Sequence, residues 1–495
     1  MSPALVLGLI AAYFLILIFI SYLTSKNTDS DTFFLANRQS PWYVVAFGMI
    51  GTTLSGVTFV SIPGMVQKAQ FSYLQMVLGY VLGYFVVATV LMPLYYRLNL
   101  VSIYTYLEQR FGYWSYKTGA AFFLLSRTLG AAIRLFLVAG VLQLAVFDEL
   151  GIPFSVSVFI TIALIWVYTF RGGMKTIIWT DTFQTTAMLL AVGTSIWLIS
   201  EELNFSFQEM VQTIQVSEYS QVFEWDVKEN DYFLKQFLSG AFITIVMTGL
   251  DQDMMQKNLS CRNIGEAQKN MFWFSVILVI VNILFLSLGA LLYIYASSKG
   301  ISLPTEGGKI VGDDVFPFLA LNHFSYFSGI VFLLGIIAIT YASADSALTA
   351  LTTSFCVDFL NFRDKTEHAR VRTRYVVHLG FSLLMVLVIL IFNILNSDNV
   401  ITAVFIVAGY TYGPLLGLYS FGLYTKRAVR DRFVPAVCII APLLTYVISY
   451  NSKEWFWGYE FGFEVLLLNG FLTFTGLMGL STGKMDDLEL AQEKA

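Results

Sequence analysis

The chain has 495 residues, 57% of them hydrophobic and 13% charged, with a mean hydropathy of +0.70 and a formal net charge of −4. This composition excludes an ordinary soluble domain: runs of about 20 apolar residues, long enough to cross a bilayer as helices, fill nearly the whole sequence. A membrane β-barrel is excluded too, because its roughly ten-residue alternation with polar lumen positions is missing.

Thirteen spans, numbered 0 to 12, are predicted near 3–24, 41–67, 71–97, 118–148, 152–170, 177–200, 231–256, 269–298, 326–360, 371–396, 399–424, 431–450 and 461–481. The chain thus reads as an all-α multi-spanning membrane protein, a single domain over 1–495. Span 0 lacks a basic leader and a small-residue cleavage site, so it reads as a retained helix, not a signal peptide. With the N-terminus outside, the inner loops hold 21 lysines and arginines, Lys257 among them, and the outer loops five. This skew follows the positive-inside rule and puts the C-terminus, with an acidic tail over 482–495, inside. The outer loop 201–230 is acidic, with six Glu and one Asp.

Span 1 reads VVAFGMIGTTLSGVTFVSIPGMV, interrupted by Gly48, Gly51 and Gly56 and then by Pro63-Gly64. Span 6 carries Gly240 and Gly249 and lies five spans further on. Glycine-interrupted helices at matching positions point to an inverted-repeat transporter whose freed carbonyls and helix ends coordinate an ion or substrate at mid-membrane. Small residues also serve close helix packing; the hydroxyls clustered in span 1 favour a site there.

Arg127 and Arg134 lie seven apart in span 3 and share a face. A guanidinium stays charged, so each needs an anionic or carbonyl partner: a substrate carboxylate, an intramembrane Asp, or the interface by snorkelling. Asp181 falls just inside span 5, whereas Asp251 and Asp253 are expected near the inner surface, where charge is cheap. In span 8, YASADSALTAL (341–351) sets Ala342, Ser346, Thr349 and Thr353 on one face, with Ser343 and Asp345 flanking. Ser and Thr in such a stripe can bond back to their own helix; the Asp, expensive at that depth, argues for more. Hydroxyls and carbonyls are hard neutral ligands that suit a small alkali cation able to leave again. No His or Cys ligands gather there, so no transition-metal site is expected. Cys261, Cys356 and Cys438 have no metal-ligand spacing. His323, His368 and His378 do not converge, and neither HExxH nor GxSxG occurs, so an enzyme is not expected.

Six ordered blocks resemble the sodium:solute symporter family: FFLANRQSPWYVVAFGMIGTTLSGVTFVSIPG (33–64), YYRLNLVSIYTYLEQRFG (95–112), GGMKTIIWTDTFQ (172–184), GLDQDMMQKNLS (249–260), YASADSALTALTTSFCVDF (341–359) and YGPLLGLYSFGLYTKR (412–427). The resemblance implies a LeuT-type fold with two inverted five-helix repeats, 41–200 and 231–424. Helix 3–24 precedes them and two helices over 431–481 follow. It implies sodium-coupled import of a small organic solute by alternating access. The shared sodium site falls on Gly51 and Leu54 of span 1 and on Ile339, Ala342 and Ser343 of span 8. Ala342 departs from the paired hydroxyls of many members.

A second sodium, present in some members, falls on Asp181, Asp345 and Ser346, with Asp345 a charge where those members have serine. Substrate positions fall on Thr53, Ser55 and Thr58, on Tyr73 and Gln75 of span 2, and on Arg127, with Arg134 as the alternative. Sugar-transporting members place Gln or Glu where this chain has Val77, which argues against a neutral sugar. A carboxylate-bearing solute, such as a sialic acid, is the leading candidate. The expected partners are Na⁺, one small-molecule substrate and the lipid bilayer, with no nucleic acid, and oligomeric state is left open. The alternatives are a proton-coupled transporter and a solute sensor; the short tail leaves no room for the signalling module some relatives carry.

Overall fold

The structure is a computed structural model, described over residues 3–24, 30–143, 147–227, 229, 231–360, 362, 365–395 and 400–484. The helices that build it are α1 (Pro3–Thr24), α2 (Trp42–Thr53), α3 (Gly56–Ala69), α4 (Tyr73–Arg97), α5 (Tyr113–Leu142), α6 (Phe154–Thr169), α7 (Gly173–Glu202) and α8 (Phe233–Gly249). They continue with α9 (Gln252–Leu259), α10 (Ile264–Lys299), α11 (Tyr326–Phe359), α12 (Glu367–Leu395), α13 (Val400–Tyr424), α14 (Val434–Tyr450) and α15 (Val465–Gly479). Among the described residues nine helices are long and apolar enough to cross a membrane, or eleven when each of two bent pairs counts as one. α6 and α15 are shorter apolar helices.

The bent pairs are α2 with α3, at 61°, and α8 with α9, at 65°. Two helices broken by nearly the same angle, five spans apart, form the centre of the molecule. The first break is at Leu54 and Ser55, whose extended ψ values of 82° and 173° end one helix and begin the next. It does not lie at Pro63-Gly64, which sit inside the continuous α3. There Gly64 meets the backbone of Gly312, and a Cβ would have no room. The second break follows Gly249, where Asp251 caps α9 by accepting from the amides of Asp253 (2.9 Å) and Met254 (3.3 Å). An Asp N-cap satisfies amides that a new helix leaves open, so the sequence itself dictates where α9 starts. Gly240 and Gly79 instead serve packing, since each faces the backbone of the other's helix in the α4–α8 contact. α6 and α7 join through Gly173, at φ 56°, with Phe33 2.5 Å from where a Cβ would stand.

Burial separates core from lipid-facing helices. In α11 the apolar window is 78% buried, against 22% in α14. α11 lies against α2, α3 and the α6–α7 segment, and its stripe residues Ser346 and Thr353 bond Asp253 and Gln256 of α9.

Candidate functional site

The cavity at the centre is built from the first break upward. Its walls are Thr53, Ser55 and Thr58 beside the break, Tyr73, Tyr80 and Tyr84 from α4, and Arg127 and Arg134 from α5. α8 adds Thr244, Met247 and Thr248, α9 adds Met254, and Val404 and Phe405 come from α13. The cavity volume is about 90 Å³. No amide, carboxylate or imidazole side chain lines it among the described residues.

Through Tyr73 and Phe405 the cavity adjoins a wider vestibule lined by Lys68, Asp231 and Gln236, at the end that carries the 201–230 loop. The opposite end is tied by hydrogen bonds. There the carbonyls released by the second break are already taken: Tyr95 donates to Gly249 O (2.8 Å) and Tyr104 to Leu250 O (2.9 Å). Gln252 bridges to Ile103 N and Val101 O, and Gln256 to Phe34 O and Thr353.

The first break is different. The last backbone bond of α2 runs from Leu54 N to Ile50 O (2.8 Å), and the carbonyls beyond it lose the amides of a continuing helix. No described side chain donates to the carbonyls of Gly51 through Leu54. On α11, which packs against α2 and α3, Ile339, Ala342 and Ser343 are all buried, and Ser343 Oγ has no hydrogen-bond partner among the described residues. A buried hydroxyl without a partner is costly. A monovalent cation shared by this hydroxyl and neighbouring carbonyls would satisfy it, and the donor set of neutral oxygens fits such an ion. Gly51 packs so closely on α7 that a Cβ would stand 2.5 Å from Thr185 Oγ1, which accepts from Gly51 N at 3.0 Å.

Several residues do not stand where sequence reasoning set them. Asp251, Asp253 and Lys257 are fully buried at mid-protein, not at the inner surface or in a loop. Arg127 is paired with Asp253 and has Asp251 at 4.0 Å, while Tyr412 also donates to Asp251. Ser346 donates to Asp253 as well. Asp181 Oδ2 is held by Lys257 Nζ at 2.5 Å and by Thr52 Oγ1 at 3.0 Å. Asp345 Oδ2 accepts from Tyr168 at 2.8 Å. Asp181, Asp345 and Ser346 therefore each have another partner. Gln75 is also withdrawn from the substrate set: it is fully buried and ties Asp231 O and Glu224 N of the outer loop to α4. Thr53, Ser55, Thr58, Tyr73, Arg127 and Arg134 do line the cavity.

The two arginines differ. Arg127 is neutralised by its aspartates, whereas Arg134, half-buried, makes no ion pair or hydrogen bond among the described residues. Sequence reasoning missed this aspartate cluster and the walls from Tyr80, Tyr84, Thr244 and Thr248. The readable signal for the cluster was the density of polar residues in GLDQDMMQK (249–257) within an apolar span.

The profile described as "Sodium:solute symporter family" matches residues 33–431. The sodium/sialic acid symporter NanT of Aliivibrio fischeri is 24% identical over 96% of this chain and 93% of its own length. SiaT of Proteus mirabilis, also a sodium/sialic acid symporter, is 24% identical over 92% and 91%. Sodium-coupled monocarboxylate transporter 2 of Danio rerio is 24% identical over 82% of this chain and 65% of its own. Among solved structures, a Na⁺-coupled sialic acid symporter in a substrate-bound outward-open state superposes with a TM-score of 0.81 at 20% identity, covering 97% of this chain and 99% of that one. Mhp1 of the nucleobase-cation-symport-1 family superposes at 0.52 and 12% identity, over 90% and 93%. These likenesses fix the fold as the LeuT type.

Proposed function

This chain belongs to the sodium:solute symporter family, and from that premise we propose that it imports a small carboxylate-bearing solute through the cavity under Arg134. It is a sodium-coupled secondary transporter of the cell membrane, not an enzyme. With the orientation read from the basic loops, the vestibule faces outside. Sodium binds between the open end of α2 and α11, on the carbonyls of Gly51, Leu54, Ile339 and Ala342 and the hydroxyl of Ser343. Bound there, it holds the first break against α11 and favours the outward-open, substrate-competent state. Solute binding then lets the inner end part while the vestibule closes. An inside-negative potential of 100 mV adds about 2.3 kcal/mol per net charge carried.

The single observation that carries the solute assignment is the contrast between the arginines: one charge compensated within the protein, the other presented to the cavity without a partner. The wall supports a further narrowing. With hydroxyls, tyrosine rings and apolar side chains but no amides or carboxylates, it suits a compact monocarboxylate with an apolar or aromatic body better than a polyhydroxylated acid.

Thermal shifts of the purified protein, with Na⁺ or choline, test this on a panel of monocarboxylates and N-acetylneuraminate, each beside its amide. Acids should stabilise only with Na⁺, and their amides should not. Arg134→Gln should weaken acid binding by about 10- to 150-fold, the worth of a charge-assisted hydrogen bond at 1.5–3 kcal/mol. Equal responses to acid and amide would end the anion assignment. A proton-coupled cycle is the remaining alternative, favoured by the buried Asp345, whose Oδ1 has no partner. Uptake that persists without sodium and collapses with the pH gradient would select it.

A further inference from the structure

We propose that the Lys257 ammonium is a tethered cation that takes the place of a second coupling sodium. This rests on the sodium-coupled reading and concerns how many ions that reading counts. Lysine is almost never fully buried unless paired, yet Lys257 is 1% exposed, deep in α9. Its Nζ donates to Asp181 Oδ2 on α7 and to Thr52 Oγ1 on α2, and Thr52 in turn donates to the same carboxylate oxygen. The ammonium thus joins the inner halves of both broken helices to α7 through Asp181, the carboxylate that a second sodium would also need.

Both carboxylates that a second sodium would need already have one oxygen taken: Asp181 holds Lys257, and Asp345 holds the Tyr168 hydroxyl. Two carboxylate oxygens remain without partners, Asp181 Oδ1 and Asp345 Oδ1. A sodium on Asp181 Oδ1 would share one carboxylate with the lysine charge and meet its repulsion. Unlike sodium, an ammonium on the chain cannot leave with the solute. It returns with the protein in every cycle, so it supplies the electrostatic bridge without entering the stoichiometry, and one Na⁺ moves per solute.

The test counts bound ²²Na⁺ on the purified full-length protein at saturation, in choline-balanced buffer. Wild type should bind one ion per chain and Lys257→Ala two, because the vacated Asp181 carboxylate accepts a sodium. The double variant Lys257→Ala with Asp181→Asn should return to one. Asp181→Asn alone should leave the wild-type count unchanged, and this arm holds even if Lys257→Ala does not fold. A wild-type count of two, a count lowered by Asp181→Asn, or a count unmoved in folded Lys257→Ala would each overturn the proposal. Loss of all ²²Na⁺ binding in wild type would instead strike the sodium site at Ser343, while a gain of one ion in Lys257→Ala would still support the tethered cation.

Discussion

Ser343→Ala removes one oxygen and tests the site at the first break. The hydroxyl is buried and has no hydrogen-bond partner among the described residues, and a buried hydroxyl left unpaired costs about 1–3 kcal/mol. Its removal should therefore leave the melting temperature in choline unchanged or slightly higher, since alanine only trims the side chain back to its Cβ. With sodium the balance reverses. The ion keeps its four carbonyls but loses the one side-chain oxygen. If that contact is worth the 1.5–3 kcal/mol typical of a hydrogen bond to a charge, the dissociation constant rises about 10- to 150-fold.

At a sodium concentration 100 times the wild-type Kd the ion stabilises the fold by about 2.7 kcal/mol. The same concentration would stabilise the variant by only about 1.4 to 0.3 kcal/mol. Thermal unfolding in matched Na⁺ and choline buffers reads both halves: an unchanged choline curve and a shrunken sodium shift. A sodium shift equal to wild type would remove Ser343 from the site. A variant destabilised in choline would refute the claim that the hydroxyl has no structural partner.

Asp253→Asn strips Arg127 of its close partner and leaves a buried guanidinium with Asp251 at 4.0 Å. Orphaning one member of a buried pair costs about 3–5 kcal/mol, so unfolding should shift strongly. Arg127→Gln with Asp253→Asn should lose less than the two single variants added, which a double-mutant cycle checks. Gly51→Ala forces a methyl onto Thr185 Oγ1, 2.5 Å from the Cβ position. A loss of about 1–3 kcal/mol is expected from overpacking, largely restored by adding Thr185→Ala. A Gly51→Ala melting curve equal to wild type would show that α2 can move off α7.

The fold was legible because apolar runs of membrane length are a signal of composition alone, and the glycine-rich span 1 does break. The place of the break was less legible. Pro63 and Gly64 look like interruptions, but a helix tolerates them when a neighbour, here Gly312, comes close. The lysines and arginines were counted as loop charges because span boundaries are blurred by several residues. Lys257 follows directly on the predicted span end at 256 but lies within α9, which runs to Leu259, and burial by partners from α7 and α2 cannot be read from its neighbours in sequence. Gln75 failed for a similar reason: the family resemblance set it beside the substrate position of span 2, but its amide matches backbone about 150 residues away.

Around the two breaks, Asp181, Asp251, Asp253 and Asp345 stand against Arg127, Arg134 and Lys257, which leaves one formal negative charge. That balance disfavours an anion in the cavity of the sodium-free protein despite Arg134. One sodium at the first break cancels it, and the anion then meets a neutral surround with a free guanidinium. Coupling between ion and solute is reciprocal: whatever factor sodium gives to carboxylate affinity, the carboxylate returns to sodium affinity. A neutral amide of the same shape gains little from that cancellation, so sodium should raise the affinity of the acid more than that of its amide. With Lys257 fixed in the chain, one sodium and one monocarboxylate leave the loaded carrier with the same charge as the empty one. Import of such an acid would then respond to the sodium gradient and hardly at all to membrane potential. Replacing Lys257 by alanine would add a second ion to each cycle and make the same import potential-driven.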